Sequence, residues 1–466
     1  MKERARGKRK RTSPSLLQRV NPKAAAIDCG ASEHYVAVPP ERDPMNVRCF
    51  RTFTADLHRL ADWLVACGIT TVAMEATGVF WIPVYEILEA RKLEVLLVNA
   101  RQFHNVAGRK SDVSDAEWLQ ELHSVGLLRA SFRPAADIVV LRGYLRHRDT
   151  LVQSAVTVIN RMQKAMVQMN LQLQRVISDI SGATGLRIVR DIVAGTTDPQ
   201  QLAKHRDARC HATEVEITAA LTGNYRIEHL FTLKQNLELY DVYQAQIQAC
   251  DVEIEAHLGR LAAATARPEA VDARRAPSTR RRTTRGNEPR FEVRGLLERM
   301  TGTDLALIDG IGPYTALRLV SEIGYDMSRW PTERHFTSWL TLAPQNRISG
   351  GRLLSSKTPP SANRAAAILR VAAMTLGKTQ TALGAFYRRL AYRVGKAKAI
   401  TATARKLAVL VYRCLKGDLV YSDAGSAAYE ARQREAALAS LRRRAHHLGY
   451  ALVDQNSGEL LEGRVS

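Results

Sequence analysis

The chain has 466 residues, and 68 Lys and Arg set against 46 Asp and Glu give a net charge of +22. An apolar content of 45% excludes wholesale disorder, and no apolar run reaches the ~20 residues that a membrane span requires. The basic start carries no apolar export signal, and the six cysteines are scattered without metal-ligand spacing. A reduced, cytoplasmic protein with no membrane partner is therefore expected.

The charge excess points to a polyanionic partner, and its location narrows that expectation. Residues 1–20 carry +7, residues 265–290 carry +5, and residues 334–417 carry +16 with no Asp or Glu, which leaves the rest of the chain at −6. A surface serving solubility alone would mix its signs.

Residues 24–133 read as alternating α/β. Short runs rich in β-branched residues at 24–29, 34–38, 71–77 and 94–100 alternate with helical patterns at 55–67, 79–91 and 112–125, as in a layered domain with a mixed sheet. Residues 137–180 lack Pro and repeat apolar residues every seven positions, through Leu145, Val152, Ile159, Met166 and Leu173. A second seam runs through Ala155, Met162, Met169 and Val176, with Arg148 as its exception. This heptad predicts one long helix with a coiled-coil face. A second long helix is expected at 229–264, so the two form an antiparallel hairpin, a self-associating surface, or a bundle on their own domain. Residues 265–290 are rich in Arg, Pro and Thr and read as a linker. A mostly helical domain follows, and an Ala/Arg-rich tail closes the chain.

Two constellations carry chemistry. In the first, Asp28 and Glu75 sit at the ends of apolar strands, and Asp112 and Asp115 stand three residues apart at a helix start. A carboxylate in a strand core is costly to desolvate unless it is paired or binds a metal. Four converging there would hold two hard divalent cations, the arrangement that activates an attacking oxygen and stabilises a leaving one on phosphorus. Taken singly, Asp112 or Asp115 also serves as a helix N-cap, and Asp28 as a turn cap.

In the second, residues 305–324 read as helix, Gly-x-Gly hairpin and helix, with Gly310 and Gly312 letting the backbone approach a phosphate. Farther on, Ser349 precedes Gly350 and Gly351, flanked by Arg347 and Arg352, with Lys357 and Arg364 nearby. A hydroxyl among cations suits nucleophilic attack on a phosphodiester. Spacing alone leaves Ser355, Ser356 and Ser361 as rivals, and Ser-Gly-Gly also serves as an ordinary turn. Lys110, Gly310, Gly312, Arg347, Arg352, Lys357 and Arg364 are the expected nucleic-acid contacts.

The order AIDCG, MEATG, KSDVSDA resembles the RuvC-like DEDD domain of insertion-sequence transposases of the one-ten and eleven-eleven type. The segment LIDGIG, APQNRISGG, SSKT, NRAAAILRVAA resembles the same family's C-terminal transposase domain. The resemblance implies a RuvC/RNase H-like N-terminal domain, a long helical coiled-coil region and a mostly helical C-terminal domain with a helix-hairpin-helix-like segment. It places the metal tetrad on Asp28, Glu75, Asp112 and Asp115, holding Mg²⁺ with Mn²⁺ as a substitute, and the nucleophilic serine on Ser349. It further implies a phosphoserine intermediate, donor and target DNA as substrates, a structured noncoding bridge RNA, and a homo-oligomer (dimer or tetramer) with composite sites.

The expected organisation is a basic extension at 1–21, the metal domain at 22–135, the helical region at 136–264, an Arg-rich linker at 265–295, the serine domain at 296–424 and the tail at 425–466. Against the transposase reading stand a metal-dependent, junction-resolvase-like nuclease using activated water, and a non-catalytic nucleic-acid-binding protein whose carboxylates are caps.

Overall fold

A computed structural model of the protein describes residues 18–76, 78–99, 112–265 and 286–453, without the side chains of Asp112 and Ser114. The chain divides into two compact units, Met1–Arg133 and Pro134–Ser466.

In the first unit, β1 (Ala24–Cys29), β2 (Glu33–Ala37) and β3 (Val47–Arg51) form an antiparallel meander. After it come α1 (Thr54–Ala66), β4 (Thr71–Glu75), α2 (Trp81–Ala90), β5 (Glu94–Val98) and α3 (Asp112–Ser124). The described strands form one sheet in the order β3-β2-β1-β4-β5, with β4 parallel to both β1 and β5. Each strand alternates its side chains between two covered faces. Ala25, Ile27, Cys29, Val72, Met74 and Leu97 pack under α1 and α2 through Leu57, Leu60, Leu64, Val84 and Leu88. Ala26, Ala73 and Val98 pack on the opposite face against Leu119 of α3. The two alanines keep that face shallow, so a helix can lie close to it. This mixed sheet, antiparallel at one edge and parallel at the other, is the RuvC/RNase H-like arrangement. β3 was not expected from the sequence. It is an edge strand whose Arg48 and Arg51 interrupt the apolar alternation, as edges commonly require.

The second unit opens with α4 (Ala136–Gln168), followed by the short helices α5 (Ala183–Val193), α6 (Pro199–Ala203) and α7 (Glu214–Leu221), and then α8 (Ile227–Thr265). The heptad predicted a helix through residue 180, but α4 stops at Gln168, because Asn170 adopts a left-handed φ of 57°. Leu173 and Val176 therefore fall outside α4. Leu173 instead joins a compact core with Ile188, Ile217 and Leu221 of the short helices. The seam of α4 faces α8 of the same chain. His257 near the end of α8 hydrogen-bonds the Asp137 carbonyl at the start of α4, at 2.8 Å, so the helices run antiparallel.

Next come α9 (Val293–Thr301), α10 (Pro313–Ile323), α11 (Glu333–Trp339), β6 (Arg347–Ser349), β7 (Arg352–Ser355), α12 (Arg364–Thr375), α13 (Ala382–Val394), α14 (Lys396–Lys416) and α15 (Gly425–His447). The first helix of the expected helix-hairpin-helix is only a 3₁₀ turn, Leu305–Leu307, because Asp304 caps a single turn and Gly310 follows at once. Trp330, Phe336, Trp339 and Tyr412 make an aromatic core between α11 and α14. The tail is helical in α15, none of whose residues is buried.

Candidate active site

In the first unit the parallel pairing of β1 and β4 sets the geometry. Ile27 lies opposite Met74, so the next residues, Asp28 and Glu75, stand side by side at the carboxyl ends of adjacent strands. The two-residue period puts both on the face of Ala26 and Ala73, the face that α3 covers. Both carboxylates are partly exposed. On the other face of the sheet the Cys29 thiol is pushed far above its ordinary range by burial and by the negative fields of Asp28 and Glu75.

α3 runs antiparallel to β1. The Gln120 side chain donates to the Ala24 carbonyl at 3.0 Å, and His123 Nε2 is hydrogen-bonded to Thr71 Oγ1 at 3.0 Å, both at the start of the parallel strands. From Gln120 back to Asp112 the helix rises about 12 Å, and from Ala24 forward to Asp28 the strand advances about 13 Å. The first turn of α3, with Asp112 and Asp115, thus stands at the same sheet edge as Asp28 and Glu75. The Asp112 side chain and Lys110 lie outside the described residues. Among the described residues no group of three or more His, Cys, Asp or Glu is gathered closely enough to hold a metal. What the structure brings together is the Asp28–Glu75 pair, with Asp115 on the facing helix turn. An all-carboxylate donor set is the chemistry that suits a hard divalent cation.

In the second unit Ser349 ends β6 and Arg352 opens β7, paired across a Gly350-Gly351 turn. Both glycines have positive φ, 54° and 74°, as in the two-residue turn that matches strand twist. Ser349, Arg347, Arg352, Lys357 and Arg364 are all exposed. Among the described residues these four cations make no ion pair, which leaves them free for an external anion. Ser355 and Ser361 are partnered locally: each hydroxyl accepts a backbone N–H two residues on, from Lys357 at 3.4 Å and from Asn363 at 3.0 Å.

The Gly-x-Gly turn is placed differently from the sequence expectation. Gly310, at φ 83°, faces α12, where a Cβ would lie 3.0 Å from the Ala372 carbonyl oxygen, and Gly312 is buried. Both border a cavity of about 440 Å³ whose walls include Arg146, Arg318 and Arg364 but also Asp149, Glu288 and Glu322. Its charge is mixed, and Asp309 in the turn itself accepts a hydrogen bond from Tyr421 at 2.9 Å. Close packing against α12 accounts for the glycine at 310.

An RNase H-like sheet with acidic strand ends, in a chain that also carries an acid-free basic ribbon, defines a protein that processes nucleic acid. One family model, of DEDD transposases of the IS110 type, matches residues 25–171. Another, described as the transposase IS116/IS110/IS902 family, matches residues 303–388. The first range holds Asp28, Glu75, Asp112 and Asp115, and the second holds Ser349. A search of curated proteins finds no match. The chain belongs to the DEDD transposases of insertion sequences, and is accordingly an enzyme that acts on DNA, of a class that depends on divalent metal. No helix among the described residues is long and apolar enough to cross a membrane.

Proposed function

We propose that the protein cuts and rejoins DNA strands through a covalent serine intermediate, with Ser349 as nucleophile and Asp28, Glu75, Asp112 and Asp115 as ligands of Mg²⁺. The observation that carries this reading is the exposed Ser349 on a tight ribbon whose cations make no ion pair among the described residues. Arg347 and Arg352 hold the phosphodiester and offset the charge that develops on its oxygens. The Ser349 Oγ–P bond forms as a P–O bond of the DNA breaks. The serine proton passes to solvent, and the departing DNA oxygen takes one up. A second DNA hydroxyl then reverses the exchange, so no phosphodiester energy is lost to hydrolysis.

The bound divalent ions supply Lewis-acid stabilisation of phosphoryl oxygens. The carboxylates hold them, and their placement at strand ends and on a packed helix keeps the ligands rigid. The long basic segments suit a structured RNA guide as well as DNA, and an oligomer in which one subunit's carboxylates serve another's serine accommodates two half-sites.

The test is trapping. DNA of the element's ends, mixed with the protein and Mg²⁺ and then denatured, should leave a protein–DNA adduct that Ser349→Ala abolishes. Cleavage by Ser349→Ala at the native rate without an adduct would overturn the reading in favour of a water-using nuclease. Sequencing the RNA that co-purifies with the protein tests the guide, and light scattering tests the oligomer.

A further inference from the structure

The β6–β7 ribbon pairs with no other described strand, and residues on both of its faces are exposed. Ser349 opposite Arg352 occupies one face, and Ile348 opposite Leu353 occupies the other. Ile348 is 64% exposed and Leu353 54%, and Leu354, beside the register shift at the ribbon's base, is 66% exposed. Large apolar side chains so close to an active hydroxyl call for an occupant. The setting states its chemistry, since no carboxylate occurs from residue 334 to 417, and among the described residues Arg347, Arg352, Lys357 and Arg364 make no ion pair. A polyanion that also offers apolar surface is nucleic acid entered between its bases. Ile and Leu are wedge residues of that kind, and a two-stranded ribbon is narrow enough to enter a groove.

We propose that the β6–β7 ribbon is a DNA wedge: Ile348 and Leu353 enter the base stack beside the phosphate that Ser349 and Arg352 engage from the other face. The wedge unstacks one base step and turns the adjacent phosphate toward the serine, so that an intact, well-stacked duplex is a poorer substrate than one already distorted there. This rests on Ser349 as the nucleophile. The two glycines at the turn keep the tip slender, and both sit in open space, with no side chain to obstruct entry.

The experiment uses the full chain and a duplex of the element's end carrying 2-aminopurine at the step next to the phosphate mapped by the serine adduct. Native protein should raise the fluorescence severalfold on binding. The double variant Ile348→Ser, Leu353→Ser, with an unchanged melting temperature because both sites are exposed, should lose that rise. It should also cleave the duplex at least about tenfold more slowly, as expected when part of an unstacking energy is withdrawn. A mismatch at the same step should restore its cleavage to within about threefold of native. Native cleavage of the paired duplex by the variant, or loss that the mismatch does not repair, overturns the proposal. So does a fall in oligomeric mass, which would assign the apolar face to another protein chain. Ser349→Ala separates the two readings: with a working wedge it retains the fluorescence rise whether or not the adduct is lost.

Discussion

Arg148 of α4 and Asp251 of α8 form a salt bridge at 2.6 Å in the middle of the helical hairpin, with the Arg148 side chain only 1% exposed. Arg148 is the residue that interrupts the apolar seam, and it reaches farther, donating to the Asn287 carbonyl and to the Tyr314 hydroxyl at 3.0 Å each. The pair thus fixes α4 against three other parts of the unit. Asp251→Ala would leave a buried guanidinium without its counter-charge and should cost about 3–5 kcal/mol in urea unfolding. Arg148→Met with Asp251→Leu should recover most of that loss, because well-packed apolar residues often replace a buried pair at little cost.

Asp28→Asn and Glu75→Gln keep the shape of each strand end while removing charge. Each should lower Mg²⁺-dependent cleavage by at least about 100-fold, the scale of a lost electrostatic contribution, and leave DNA affinity within a few-fold. Retained cleavage in either variant would remove that residue from the site.

Arg347→Gln and Arg352→Gln should each reduce the slope of log affinity against log salt by about 1, the signature of one phosphate contact. A filter-binding series in salt reads this directly. An unchanged slope would place that side chain away from the backbone.

His123, buried beside Thr71, has its pKa lowered to about 4 by desolvation, and His34 moves in the same direction for the same reason. Each is a base whose folded pKa lies below its unfolded one. The unfolded chain therefore binds more protons between the two values, and stability is complete above pH ~6.5 and falls as pH drops toward ~4. For His123 the full loss is on the order of 3 kcal/mol, of which about 2 kcal/mol is reached by pH 5. Urea unfolding at pH 7 and pH 5 should show it, with His123→Gln leaving only the smaller part due to His34.

Gly310→Ala meets both a left-handed φ and a carbonyl oxygen 3.0 Å from the new Cβ, whereas Gly351→Ala meets only the φ, with open space around it. The first should cost roughly 2–3 kcal/mol and the second about 1 kcal/mol, read from thermal melts.

Much of the first unit was legible because its elements follow simple periods. The apolar runs of β1 and β4 placed Asp28 and Glu75 at strand ends, and the three-residue spacing at a helix start placed Asp115 on the first turn of α3. β3 escaped because an edge strand tolerates arginines at positions where a central strand would show valine. The heptad correctly announced the inward face of α4 but not its end, since the left-handed turn at Asn170 is a single-residue event that a seven-residue repeat does not register. Arg148 stood out as an exception, yet its partner lies 103 positions away, beyond any local pattern. The Ser349 ribbon was visible through its glycines and charges. Its apolar face was not, because Ile348 and Leu353 look like core until their exposure is known.

The described residues on either side of positions 266–285 hold to one another. α8 ends at Thr265, α9 packs back on α8, and Asn287 is held by Arg148. Both ends of the intervening stretch are thus anchored on one body by contacts that do not depend on the stretch itself. Changing its length alters the closure entropy only logarithmically. Shortening it, inserting a reporter or opening it to make new termini should therefore leave the two flanking pieces associated, as a nicked protein that elutes as one species.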